Sequence, residues 1–570
     1  MSPELAAAIT DWPSEYHLSR SRHCLIRPLG IRSGERVLEL GCGCGAITRY
    51  LGEIGARTVA VEGSLRRAQI AAERCRDLSH VQVIADDLTR FETEERFDWV
   101  LLIGVLEYAP VFSSCDCPAQ DYLQAARRFL SPSGRLAIAI ENKLGLKYFN
   151  GCSEDHLGRP NAGIQGLYGP KAPITFGRGE LQGIIQKVGL EWVQFYYPFP
   201  DYKLPAVILS EAAFSHSGFN PVDLLARCHS RDYTGLQPRH FDEALVFAEL
   251  GKNGLIPELS NSFLVVATAE PQAPRFPDML AMTFAVDRLP ELATQTRFER
   301  RGNRVEVTKE PLQEGLEAGR QNPGSDITLR LDRESYHRGR VLLWRVLAAR
   351  AGNGGRDGVI AAFRSWFRFV LKHARVKVTA GSGACDLASF VVSGHFIDCT
   401  PFNLVDSGNA LYWIDREWQQ DSDIPLGWVV VRGVLHSLEA GAGHSGMSVF
   451  RLVAGLCAEV SLSVSAAEVR HWLSLESAFQ TTVTGCDYGA RHYWGGASDM
   501  PEGSWSTHLL PVGSRRRQIA SLCCAPFLKP LRSAVAHLRH RLPAGRAGST
   551  QKVASAEADL FSSVNFAGSR

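Results

Sequence analysis

Three acidic residues and three glycines fall at spacings that suit a small polar ligand. Glu39 stands two positions before Gly41 in "VLELGCGCG", Glu62 follows 23 residues later, and Asp86 lies 24 further on, each at the end of an apolar run. Gly41, Gly43 and Gly45 leave a backbone without side chains, able to turn sharply and approach a ligand closely. The glycines alone decide little, because Gly41, Gly43 and Ala46 also satisfy the dinucleotide pattern GxGxxG/A. The acids decide more. A carboxylate at Glu39 repels a pyrophosphate and attracts a cation. Glu62 is placed to accept from two ribose hydroxyls, and Asp86 from an exocyclic adenine amine. A ligand that is cationic at one end and a nucleoside at the other is S-adenosylmethionine.

Displacement at a methyl carbon needs alignment and, for a hydroxyl or amine nucleophile, a proton acceptor. The segment "ENKLGLKYFNGCSEDHLG" gathers Glu141, Lys143, Lys147, Tyr148, Glu154, Asp155 and His156 in a stretch too polar for a core. His156 with Asp155 beside it is the best base candidate, against the plainer reading of a surface histidine in a lid. Glu107 and Tyr108 are expected to line the cleft, although packing explains them equally well. "YYPFPDYKLP" offers tyrosines and Lys203, suited to stacking on a sugar or aromatic acceptor or to a buried aromatic turn.

The elements that must hold these residues alternate short apolar strands with amphipathic helices, the pattern of a parallel sheet. Seven strands are expected: "RVLEL", "RTVAVEG", "VQVIADD", "FDWVLLIGVLEY", "RLAIAIEN", "EWVQFYYPF" and "NSFLVVATA", the last after an insertion at about 201–260. Pro271, Pro274 and Pro277 mark the expected end of this α/β domain, 1–270 with its core at 34–270.

"VLELGCGCGAITRYLGE", "VAVEGS", "ADDL" and "FDWVLLIGVLEY" resemble, in order and spacing, the motifs of class I S-adenosylmethionine-dependent methyltransferases with a Rossmann-like sheet. The resemblance covers about 40–270 and implies cofactor contacts at Glu39, Gly41, Gly43, Gly45, Glu62, Asp86 and Asp87, with Ile103 and Gly104 flanking the cofactor. Cys42 and Cys44 depart from the commoner small residues between the glycines. "IENKLGLKYFNG" with "EDH" and "YPFPDYKLP" resembles methyltransferases of bacterial surface-polysaccharide and O-antigen assembly, which implies a glycan acceptor and glycan-assembly proteins as partners. A scaffold in such an assembly, with no catalysis, is the alternative from another class.

A second region, 278–495, is expected to be an α+β domain. In "GHFIDCTPFNLVDSGNALYWIDREW", Asp398 precedes Asn403 by five positions and Asp415 by 17. That spacing resembles protein-kinase-like phosphotransferases and implies a base at Asp398, ATP, and magnesium held by Asn403 and Asp415, with Lys309 in "RVEVTKEPL" as the phosphate-contacting lysine and Glu334 its partner. Phe396 in place of the usual histidine, "DRE" in place of DFG, and the lack of a glycine-rich loop depart from that pattern.

Over all 570 residues, 62 Lys and Arg against 60 Asp and Glu argue against a DNA-binding chain. With 14 cysteines and no secretory pattern, reduced thiols in a cytoplasmic protein are expected, and the close cysteine pairs have no second pair at zinc spacing. Residues 504–570 read as a basic tail, with Arg515, Arg516, Arg517, Lys529 and Arg532 among small and apolar residues. A solvated tail fits this composition better than an amphipathic stretch on an anionic membrane.

Overall fold

The computed structural model describes residues 8–112, 115–233, 239–313, 316, 326–377, 386–440 and 448–486. The basic tail expected at 504–570 lies outside them.

Five strands, β1 (Arg36–Leu40), β2 (Arg57–Glu62), β3 (Val81–Ala85), β4 (Phe97–Ile103) and β5 (Leu130–Glu141), run parallel in the order β3-β2-β1-β4-β5. Val37, Leu38 and Leu40 of β1 are buried on both faces, as a central parallel strand covered by helices requires. The helices Ala46–Glu53, Leu65–Arg74 and Pro118–Arg127 supply the crossovers. β6 (Trp192–Phe199) and β8 (Ser262–Thr268) complete the seven expected strands, with β8 antiparallel between β5 and β6.

The sheet does not stop at seven. β7 (Val207–Ser210), from the segment read as an insertion, pairs with β6, and β9 (Met279–Ala285) pairs antiparallel with β7. β10 (Thr294–Arg301) and β11 (Arg304–Pro311) follow as a hairpin, and after the separate strand β12 (Ile327–Leu329) the short β13 (Glu334–Ser335) joins β11. The result is a mixed sheet of twelve strands, β13-β11-β10-β9-β7-β6-β8-β5-β4-β1-β2-β3. The prolines at 271–277 form an irregular connection, as expected, but no sheet boundary falls there. β7 presents an open edge, and the apolar "MLAMTFA" of β9 covers it.

β12 pairs instead with Trp418–Gln420. Behind it, the helices Leu343–Ala351, Gly355–Lys372, Leu426–Glu439, Val449–Ala458 and Ala466–Thr484 enclose a second core containing Phe363, Trp366, Val430, Leu456 and Trp472. Leu426–Glu439 is buried along most of its length and holds Arg432 and His436 against Glu476. Trp344 and Leu347 pack into the first core with the strands while Val346 joins the second, so the two cores meet along the helix Leu343–Ala351.

Candidate active site

The carboxyl ends of β1, β2, β4 and β5 form one edge, where ligands of open α/β sheets bind. After β1 the chain turns through Gly41, Gly43 and Gly45 at φ of +84°, +57° and +74°, a region side chains rarely adopt. Gly41 and Cys42 donate their backbone N–H groups to Val61 O at 2.8 and 3.1 Å, tying the loop to β2. A Cβ at Gly41 would stand 2.5 Å from Val105 Cγ2, so only glycine closes this turn.

Glu62 ends β2 with its side chain buried. Its Oε2 accepts Gly43 N–H at 2.9 Å, and its Oε1 accepts Ser64 N–H at 2.9 Å and Arg67 Nε–H at 2.9 Å. The carboxylate therefore shapes the loop, and Oε2, with one donor, keeps a lone pair for another. Asp86 is exposed at the end of β3, and its Oδ1 accepts Asp87 N–H at 2.8 Å. Asp87 Oδ1 accepts both Thr89 N–H and Thr89 Oγ1–H, at 2.9 and 2.7 Å, capping its own turn, while Oδ2 lies 3.6 Å from Arg90 Nε. Glu39 is 2% exposed and accepts Thr48 Oγ1–H at 2.6 Å, behind the loop, and burial pushes its carboxyl up to about 7. Ile103 is buried at the end of β4, and Gly104 follows at φ +70°.

Around Gly43 and Gly63 no side chain crowds the backbone: a Cβ at Gly43 would meet the His17 ring at 3.8 Å, and one at Gly63 would meet Asp86 O at 3.9 Å. Bare backbone between the acceptor oxygens of Glu62 and Asp86 fits a ligand that offers ribose hydroxyls and an amine, which is the donor set of S-adenosylmethionine.

The helix Trp12–Leu18 contributes to this edge, and the sequence reading missed it. Asp11 caps it in a box with Ser14. Its His17 faces Gly43, and Arg74 donates to His17 O at 2.8 Å. The Tyr16 and Tyr202 hydroxyls both face Gly104. "DWPSEY", a capping aspartate before proline and aromatics, is the signal that could have found it.

Beyond β4 and β5 lies a buried polar cluster. Glu107 comes from the turn Leu106–Tyr108, Glu141 ends β5, and His156 comes from the following loop. His156 Nε2 lies 3.3 Å from Glu141 Oε2 and 4.0 Å from Glu107 Oε1, and its Nδ1 lies 3.3 Å from Tyr108 Oη. Asp155 is not its partner, contrary to expectation. Consecutive side chains on this loop diverge, and Asp155 instead meets Lys147 Nζ at 2.5 Å, Tyr148 Oη at 3.1 Å and Lys203 Nζ at 3.2 Å. Lys203 also pairs with Glu141 Oε1. Burial pushes the His156 imidazole down, but Glu141 and then Glu107 outweigh it and leave its pKa at about 9. Burial and the neighbouring Glu141 push Glu107 up to about 8. Tyr196 and Tyr197 are buried in the sheet rather than offered for stacking, whereas Tyr108 is 37% exposed at the rim.

In the second region, Lys309 on β11 pairs with Asp415 and, at 2.7 Å, with Glu417 Oε2. Asn403 Nδ2 donates to Asp398 O at 3.0 Å and Asp415 O at 3.4 Å, and Asp415 sits at φ +57°. Glu334 does not pair with Lys309 and accepts Asp415 N–H at 3.0 Å. Asp398 is buried and accepts Trp418 N–H at 2.6 Å, so its carboxylate turns inward, away from the place of a base that receives a substrate proton.

Residues 37–134 match the protein family described as a methyltransferase domain. This segment is a methyltransferase domain. Pavine N-methyltransferase of Thalictrum flavum subsp. glaucum is 30% identical over 82 residues, 14% of this chain and 23% of that protein. Demethylmenaquinone methyltransferase of Tropheryma whipplei (strain Twist) is 31% identical over 119 residues, 20% of this chain and 46% of its own. Ubiquinone biosynthesis O-methyltransferase of Bradyrhizobium diazoefficiens is 28% identical over 121 residues, 21% and 44% of the two chains. The chain thus spans between about a quarter and a half of the length of these relatives. The methyltransferase domain holds the glycine loop, Glu62, Asp86 and Glu107, while Glu141, His156 and Lys203 lie beyond the matched residues. Among the described residues, no helix is long and apolar enough to cross a membrane.

Proposed function

We propose that this chain transfers a methyl group from S-adenosylmethionine to an oxygen of a saccharide or saccharide phosphate. The observation that carries the reading is Glu62, buried at the end of β2 and hydrogen-bonded to Gly43 N–H beside Gly63 and Asp86. When bound, the cofactor supplies an electrophilic methyl group on a sulfonium. Glu62 and Asp86 would accept from its ribose and adenine, the glycine loop admits it closely, and Gly104 leaves room below the Tyr16 and Tyr202 hydroxyls. The exposed ring of Tyr108 provides a face on which a sugar ring can lie, next to carboxylates that can accept from its hydroxyls. The resemblance to surface-glycan methyltransferases supports the saccharide, and the relatives' names, N- and O-methyltransferases alike, leave the acceptor atom to experiment.

Equilibrium dialysis of the full chain against radiolabelled S-adenosylmethionine, followed by mass spectrometry of cellular glycans made with and without the chain, tests both parts. Retained label and a glycan lighter by one methyl group in the absence of the chain are expected. No retained label refutes the methyltransferase reading and leaves the scaffold; retained label with unchanged glycans refutes the saccharide.

A second reading, phosphotransfer from ATP with magnesium by the region after 278, draws support from one observation. Lys309, on β11, meets the side chain of Asp415, whose backbone carbonyl accepts from Asn403 Nδ2 twelve residues earlier. Magnesium-dependent ATP binding that Asp415→Ala abolishes is the expected result, and equal binding by this variant refutes it.

A further inference from the structure

We propose that Glu107, Glu141 and His156 form a binding site for one divalent cation of the manganese or magnesium class, beside the methyl-acceptor position. Their donor atoms all lie within 4.8 Å of one another. Metal–ligand bonds of about 2.1 Å place neighbouring donors roughly 3 Å apart and opposite donors about 4.2 Å apart. The 3.3 and 4.0 Å separations from His156 Nε2 to Glu141 and Glu107 fall within that span.

Proximity of acids alone would not carry a site. The independent observation is Glu107, which is 1% exposed and has no hydrogen-bond partner on either carboxylate oxygen. An acidic side chain with neither oxygen hydrogen-bonded is costly to bury; His156 Nε2, at 4.0 Å, stands beyond hydrogen-bond reach, and a cation between the two offsets that cost. The lysines do not supply one: Lys203 pairs with the other oxygen of Glu141 and with Asp155, and Lys147 with Asp155.

The surroundings hold each ligand in place. Lys203 fixes Glu141 Oε1 and leaves Oε2 turned to His156. His156 donates its backbone N–H to Glu154 Oε2 at 2.9 Å, and its Nδ1 lies against Tyr108 Oη. With Nδ1–H donated to Tyr108, the orienting contact that metal-bound histidines usually have, a cation that displaces the proton on Nε2 takes up its lone pair. The two carboxylates suit manganese or magnesium, and no thiol is present among the three to select a softer metal. Three protein ligands leave positions for oxygens of the acceptor, and an alcohol ligated there ionises more readily. That last role rests on the methyl-transfer reading, whereas the cation site stands on its own geometry.

Manganese binding to the full chain, measured by electron paramagnetic resonance of the free ion, tests the site, with S-adenosylhomocysteine binding measured in parallel. One manganese per chain is expected, with affinity at least tenfold weaker in Glu107→Gln and in His156→Gln, both checked for folding by thermal melting. If one variant fails to fold, the other carries the test. No manganese bound by a wild-type chain that binds S-adenosylhomocysteine overturns the cation site, as does wild-type affinity in a folded variant. Manganese bound without S-adenosylhomocysteine leaves the cation site standing and refutes the methyltransferase reading instead.

Discussion

Glu62→Gln paired with Arg67→Ala is the most discriminating perturbation of the cofactor edge. Glu62 accepts three N–H groups: Gly43 on one oxygen, and Ser64 and Arg67 on the other. Glutamine keeps the shape but turns one oxygen into a donor. Whichever way the amide faces, it sets that donor against Gly43 N–H or against Ser64 N–H and Arg67. A buried donor left unsatisfied costs about 1–3 kcal/mol, and hydrogen bonds to a charged acceptor lie at the upper end. Taking about 2–3 kcal/mol, at about 1.4 kcal/mol per tenfold, S-adenosylhomocysteine should bind roughly 30- to 140-fold more weakly. Arg67→Ala should behave oppositely. Its side chain is 51% exposed, and removing it takes one donor from Oε1 and frees that oxygen for a ligand hydroxyl, so affinity should hold or rise. Titration calorimetry on the full chain reads both. Glu62→Gln binding within threefold of wild type, or Arg67→Ala losing as much as Glu62→Gln, would refute the reasoning.

Gly104→Ala places a Cβ 2.7 Å from Tyr202 Oη and should weaken S-adenosylhomocysteine binding at least tenfold; Gly104→Ala with Tyr202→Phe should regain part of it in the same titration. Glu476 accepts from Trp428 at 2.9 Å and lies 2.8 Å from His436 Nε2, besides pairing with Arg432, so Glu476→Gln should lower unfolding stability by about 3 kcal/mol or more in urea. Asp223 accepts Trp344 Nε1–H at 2.6 Å, and burial pushes its carboxyl up to about 7. The folded chain therefore keeps a proton there that the unfolded chain releases near pH 4. This contribution to stability is whole below that pH and fades as pH rises toward 7. Asp223→Asn should flatten the decline and be more stable than wild type at pH 8, with the two alike at pH 4, by urea melts across that range.

The placement of the glycine loop and of Glu39, Glu62 and Asp86 at or beside strand ends was legible because it rests on contiguous runs: a strand, a turn and a carboxylate within a few residues. Glu107, Glu141 and His156 were each named from the sequence, but their meeting was not legible, since the turn Leu106–Tyr108 and the segment that follows β5 come together only through the pairing of β4 with β5. Asp155 misled because adjacency in sequence suggested a pair, whereas two buried lysines compete for it more strongly than a histidine. That Asp87 caps its own turn was hidden because a turn cap and a ligand carboxylate have the same sequence signature. β7 and its partner were hidden for another reason. β7 is four residues long, too short for alternation to show, and its pairing with β9 depends on a partner some 70 positions away. Motif spacing singled out Lys309 and Asp415, but that they pair with each other and that Glu334 accepts from the Asp415 backbone needed β11 and β13 in place.

The junction of β7 with β9 bears on how the chain is made. As the ribosome releases it from the amino end, the first 270 residues can assemble with β7 as their outermost strand, its free backbone groups waiting for a segment still in the tunnel. Until β9 emerges, that edge is open to another nascent chain. A protein cut after the prolines would keep the exposure permanently and should collect in aggregates, whereas one extended through β11 would carry its own cover.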